Sequence, residues 1–247
     1  MIKSSPAKKP SGFIIYRGPS MLDGSPIVAV AITKSENVKT GNMIQTYILV
    51  DNDKSPVENV KALADSAICG NCKHRRGTGG ACYVNLGQGP RAVADGVVRG
   101  IYPHNAELAR LASKDRIVRL GTYGDPAAVP VSVWTDLLAL SAGRTGYTHQ
   151  WQNPAFAPLL ELVMASADSE QERKEAKALG FRTFRIRSSD EEIMKGEYLC
   201  PASEEAGKRK TCAECTACDG GTNNRKADPV IIVHGSLKNR FIAIKSI

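Results

Sequence analysis

Residues 116–151 read RIVRLGTYGDPAAVPVSVWTDLLALSAGRTGYTHQW, and this stretch decides the fold class. Its opening, 116–120, is a short apolar strand that runs into Gly121-Thr122-Tyr123-Gly124-Asp125-Pro126. Val133, Trp134, Leu137, Leu138 and Leu140 then recur at helical spacing over 131–142. Residues 147–151 return to a strand. Strand, helix and strand in so short a span make the unit of a parallel sheet with helical crossovers.

The alternation continues outward. Downstream come a short helix over 154–160, a strand over 161–166 ending in Asp168-Ser169, and a charged helix over 170–179 closed by Gly180. A strand over 181–187 follows, and Tyr198-Leu199 lead into Cys200. Upstream, 90–98 and 106–113 are helical. Four or five such units fit between residues 90 and 205, fewer than a complete eight-unit barrel requires. The expected class is therefore α/β, as a partial (β/α) barrel or an open parallel sheet. Two β-branched runs near the N-terminus, 27–33 and 43–50, predict an N-terminal β-hairpin or meander. Ser55-Pro56 with Glu58 open a helix reaching about Ser66. At the other end, 229–234 and 240–247 read as two strands joined through Gly235-Ser236. The chain thus divides into a flexible tail over 1–10, an α/β domain over 11–199, and a cysteine-rich metal-binding segment with terminal strands over 200–247.

Composition narrows the function. Hydrophobic residues are 42% of the 247 and charged residues 23%, the balance of a globular chain. No apolar run is long enough to cross a bilayer, and the N-terminal lysines are not followed by a signal-type apolar core. A cytoplasmic protein with no membrane partner is expected. In that reducing compartment the seven cysteines, an odd number, read as ligands rather than disulfides. The net charge of +8 favours anionic partners, either a small molecule or nucleic acid, although it also serves solubility. Basic residues bunch beside the cysteines as Lys73-His74-Arg75-Arg76 and Lys208-Arg209-Lys210. The sequence holds no GxxxxGK[ST] phosphate loop, no serine nucleophile elbow and no paired catalytic carboxylates.

The cysteines fall into two groups. Cys69-Gly-Asn-Cys72 is followed after nine residues by Cys82, with a glycine-rich insert over 75–80 that can wrap closely round a ligand. Cys200 is followed after eleven residues by Cys212-Ala-Glu-Cys215-Thr-Ala-Cys218. Two-residue spacers turn neighbouring thiolates to the same side, so both groups are candidate metal sites for zinc or an iron–sulfur cluster. Three thiolates in the first group leave one coordination position open for chemistry, unless His74 closes it as a Cys₃His zinc site.

The order of these motifs resembles the radical S-adenosylmethionine (SAM) superfamily, and more closely radical-SAM-like phage and plasmid proteins of unknown function. The likeness covers roughly residues 65–220. The superfamily's usual spacing is CxxxCxxC, whereas this chain has CxxC and then Cys82. The resemblance implies a [4Fe–4S] cluster on Cys69, Cys72 and Cys82, SAM bound at the strand-end turn Gly124-Asp125-Pro126, and an auxiliary cluster on Cys200, Cys212, Cys215 and Cys218.

Other residues carry two readings each. His149, at a strand end, could be an acid–base or stacking group, or a hydrogen-bonded core histidine. Asp125 could be a site residue or the cap of an Asp-Pro turn, and Asp168-Ser169 the cap of the next helix. Arg185 and Arg187 share a strand face, and one of them could meet an anionic substrate or the SAM carboxylate; a solvated edge is the plainer reading. Two functions follow. One is a radical-SAM-like enzyme acting on an anionic or nucleic-acid-related substrate. The other is a non-catalytic, zinc- and nucleic-acid-binding phage or plasmid accessory or replication protein.

Overall fold

The computed structural model describes residues 10–35, 37–221 and 227–245; apart from Pro10, the expected tail lies outside them. Nine strands form one sheet: β1 Gly12–Pro19, β2 Pro26–Ile32, β3 Ile44–Val50, β4 Ile117–Tyr123, β5 Gly143–Thr148, β6 Met164–Ala167, β7 Thr183–Arg187, β8 Glu197–Leu199 and β9 Asp228–Ile232. Their order is β1-β2-β3-β4-β5-β6-β7-β9-β8, so the sheet is open, with β1 and β8 at its edges. β1, β2 and β3 pair antiparallel, Ile27 lying opposite Val50. From β3 onward every pairing is parallel.

This order explains where the connections lie. From β3 to β7 each strand is laid beside its predecessor in the same direction. Right-handed crossovers then fall on one face. Helices α1 Pro56–Lys61, α2 Ser66–Cys69, α3 Gly89–Val98, α4 Ala106–Ala112, α5 Val131–Leu138 and α6 Glu170–Ala178 belong to these connections. Val118, Leu120, Trp134 and Leu137 fill the main core. At the far end the direction reverses, because β8 lies outside β9. The same handedness sends the β8–β9 connection, with all four later cysteines and α7 Cys212–Cys215, over the opposite face. There Cys200 and Cys212 pack with Phe184 and Ile186.

Several expectations need correction. β1 was not foreseen, because Gly12, Arg17, Gly18 and Pro19 break its pattern. The helix from Ser55 has the expected capping box but ends at Lys61; Leu63 turns left-handed (φ 60°) before α2 begins. β5 ends at Thr148, which leaves His149 and Trp151 beyond the strand. The strand expected over 240–247 is contradicted: Lys238–Lys245 is a helix, α8. Phe-Ile-Ala-Ile at 241–244 carries no period of its own. Phe241, 2% exposed, stacks on the His74 ring with centroids 5.3 Å apart, a contact that only the assembled fold supplies. Among the described residues no helix is long and apolar enough to cross a membrane.

A buried ion network joins the starts of β7 and β9 to the cysteine-rich connection. Arg182 donates to Asp228 (3.1 Å), Asp219 (2.8 Å) and the Ala217 carbonyl (3.1 Å), and Lys177 reaches Asp228 at 3.0 Å. Truncating one partner strands the other charges. Arg182→Ala is expected to lose about 3–5 kcal/mol of stability, measured from denaturant midpoints.

Candidate metal centres on the parallel sheet

The C-terminal ends of β4, β5 and β6 deliver Asp125, His149 and Asp168 in turn. Gly124 has φ 81°, and a Cβ there would stand 2.7 Å from Ile48 Cβ, so glycine alone suits the bend. The Asp125 carboxylate then accepts from Ala127 N (2.9 Å) and from His149 N (2.7 Å). Asp125 N donates to the Ile68 carbonyl at 2.6 Å, and the Pro126 carbonyl accepts from Trp134 Nε1 at 2.9 Å. Gln150 Nε2 donates to the Cys69 carbonyl (3.1 Å). The Asp125 carboxylate thus fixes the ends of β4 and β5 together, while its backbone N–H and the Gln150 amide pin the helix that carries Cys69. Despite these bonds, burial pushes the Asp125 pKa up.

The first cysteine loop closes on itself through Cys72 N to the Cys69 carbonyl (3.2 Å) and Cys82 N to the His74 carbonyl (2.8 Å). Its arginines are struts: Arg75 donates to Asp65 (2.6 Å) and the Leu63 carbonyl (2.8 Å), Arg76 to the carbonyls of Cys82 (3.0 Å) and Val84 (2.8 Å). Burial pushes the Cys69 thiol well up, and charge on Cys72 and Cys82 adds to it. Burial would lower the His149 pKa, but the charge and hydrogen bond of Cys72, then Asp168 and Asp125, push it up to about 10.

Beside this loop His74 Nε2 meets Asp168 Oδ2 at 2.6 Å, and Lys73 Nζ reaches the same oxygen at 3.1 Å. Burial disfavours the Asp168 charge, but the His74 hydrogen bond and the charges of His74, His149 and Lys73 hold its pKa at about 2. Ser169, as expected, caps α6 by accepting from Glu172 N (3.1 Å).

The second group is held by Thr211, which forms a capping box with Glu214, and by Cys212 N donating to the Lys39 carbonyl at 3.1 Å. Burial raises the Cys218 thiol, the Tyr147 hydroxyl opposes this by donating a hydrogen bond, and charge on Cys200, Cys212 and Cys215 raises it further. Arg119 lies 5.5 Å from the Tyr147 ring centre and donates to the Tyr83 hydroxyl at 3.5 Å. Burial opposes its charge, yet Tyr83, Tyr147, Cys212 and Cys218 keep it protonated. Tyr83, Arg119 and Tyr147 therefore bridge the two cysteine groups. Sequence reasoning missed Arg119; its one signal was a charge inside an apolar strand.

Arg185 is fully buried and bonds Glu197 at 2.8 and 2.7 Å and the Glu192 carbonyl at 2.8 Å, while its neighbours Phe184 and Ile186 face the cysteines. It is not brought to the candidate centres. No family model, curated protein or solved structure matches this chain.

Because Asp125 answers two backbone N–H groups, Asp125→Asn leaves one of them facing an amide donor. A loss of about 1–3 kcal/mol is expected in urea unfolding of the protein without any added ligand. An unchanged midpoint would free the carboxylate for another role.

Proposed function

We propose that this protein is a cysteine-ligated metal enzyme, radical-SAM-like in plan, that acts on an anionic substrate. The observation that carries this reading is the meeting of the first cysteine loop with three successive strand ends: Asp125 N bonds the Ile68 carbonyl and Gln150 the Cys69 carbonyl, Cys72 lies against His149, and His74 meets Asp168. In parallel α/β sheets that edge is where ligands are held.

Three cysteine thiolates are a donor set that an iron–sulfur cluster would accept. Among the described residues, the set of three ligating atoms that closes within 4.8 Å is His74, His149 and Asp168, so at least one pair of sulfurs in the first group lies farther apart than that. One zinc ion, with bonds of about 2.3 Å, would draw any two thiolates within about 4.6 Å. A polynuclear cluster spans more space and accepts the wider spread. When bound, such a cluster would supply one-electron chemistry.

The residues expected for SAM fit less well. Asp125 and Arg185 already direct their charged groups to partners within the chain.

The chain's own contributions are burial and charge. Arg119 offsets thiolate charge between the two groups. A cleft of about 950 Å³ opens beside the second group, lined in part by Ile231, Val38 and the lysines Lys39, Lys210 and Lys238. None of these three lysines has a carboxylate within salt-bridge distance among the described residues, and Val38 is 88% exposed at the rim. Glu204 and Glu205 also line it but are paired with Lys208 and Arg187, so an apolar wall with these three ammonium groups suits an anion with an apolar body. The same cleft favours a second reading, a zinc protein that grips nucleic acid without catalysis.

Anaerobic purification should give a brown protein with iron and acid-labile sulfide, and Cys82→Ala should lose much of that absorbance. Reductive SAM cleavage by wild type and not by Cys82→Ala would extend the likeness to activity. Zinc alone, persisting through iron–sulfur reconstitution, would remove the enzyme reading in favour of the nucleic-acid-binding one. In either case Lys39→Glu with Lys210→Glu is expected to weaken binding of a labelled nucleotide at least about tenfold at low salt, with wild-type affinity itself falling as salt rises.

A further inference from the structure

We propose that His74, His149 and Asp168 form a separate site for a single first-row divalent cation. The inference stands on these three side chains and does not depend on what the cysteines hold. One ligand atom from each lies within 4.8 Å of those of the other two. They arrive from three segments: the loop after Cys72, the end of β5 and the end of β6.

The second observation is unmet polarity. His74 is 7% exposed and Asp168 1% exposed. His74 Nδ1, His149 Nε2 and Asp168 Oδ1 are each buried without a hydrogen-bond partner. A buried polar atom without a partner is rare in a folded protein; His74 Nδ1 lies on the ring side away from the Nε2 that meets Asp168, so His149 Nε2 and Asp168 Oδ1 are the two that call for a common answer. A cation supplies one, because imidazole nitrogen and carboxylate oxygen are both electron-pair donors.

The donor chemistry names the class of ion. Two imidazoles and one carboxylate make the three-donor set that holds Fe²⁺ or Mn²⁺ with open positions. The 2.6 Å contact of His74 with Asp168 shows that two of the donors are already held together. Lys73, which also pairs with Glu172 at 2.8 Å, holds Asp168 Oδ2 and leaves Oδ1 unpartnered. Outer contacts orient the rings, as metal-bound histidines require. Phe241 stacks on His74, and Cys72 hydrogen-bonds His149, whose backbone N–H is fixed by Asp125.

Mn²⁺ is the discriminating probe, since thiolates select softer ions and carboxylate–imidazole sites accept it. The full-length chain is titrated with MnCl₂ while the six-line EPR signal of free Mn²⁺ is followed. Wild type and Cys69→Ser/Cys82→Ser are expected to take up one equivalent. His149→Ala and Asp168→Asn should bind at least about tenfold more weakly. Pulsed EPR of the wild-type complex should show coupling to imidazole nitrogen, a readout that needs no variant to fold. No uptake by wild type, no nitrogen coupling, equal uptake by a folded His149→Ala, or loss of uptake with the cysteines would each overturn the site. Iron–sulfur content is measured on the same samples, so failure of the cysteine reading is recorded separately.

Discussion

Right-handedness of parallel crossovers is the constraint on which the rest of this structure depends. While β3 to β7 advance in one direction, the helices accumulate on one face and bury Val118, Leu120, Trp134 and Leu137. The single reversal at β9 and β8 sends the last long connection over the other face. Without it, Cys212 and Cys218 would not reach Arg119 and Tyr147, and the two cysteine groups would have no common surface.

Bringing so many thiols together creates an electrostatic problem. Each buried thiolate raises the proton affinity of its neighbours, as burial already does. The fold answers with cations and donors placed between them: Arg119, the Tyr147 hydroxyl and the His149 imidazole. A bound metal would neutralise the same charge directly. Arg75 and Arg76 contribute differently, since they brace the loop through carbonyls and Asp65 rather than offering a free anion site.

The residues at the strand ends divide the labour. Asp125 spends its carboxylate on backbone N–H groups and so sets the position of His149. Asp168 meets His74, a pairing across 94 residues of chain. His149 stands between them, hydrogen-bonded to Cys72. The sequence marked these residues as strand-end positions without distinguishing the one that builds the edge from those left with unmet polar atoms.

What the sequence by itself determined is what local chemistry dictates. The parallel α/β class followed from helix-period and strand-period runs, the N-terminal hairpin from β-branched runs, the helix starts from Ser55 with Glu58 and from Ser169, and the two cysteine groups from their spacing. Tertiary structure alone decided the rest. Lys238–Lys245 is a helix whose Phe241 packs on His74. Arg185 is a structural ion-pair partner because it faces Glu197, and Asp168 is a histidine partner because β6 ends beside the cysteine loop. Periodicity and capping act over a few residues and are written in order along the chain. A side chain's partner depends on which strands lie side by side, and that is settled only when the sheet has assembled.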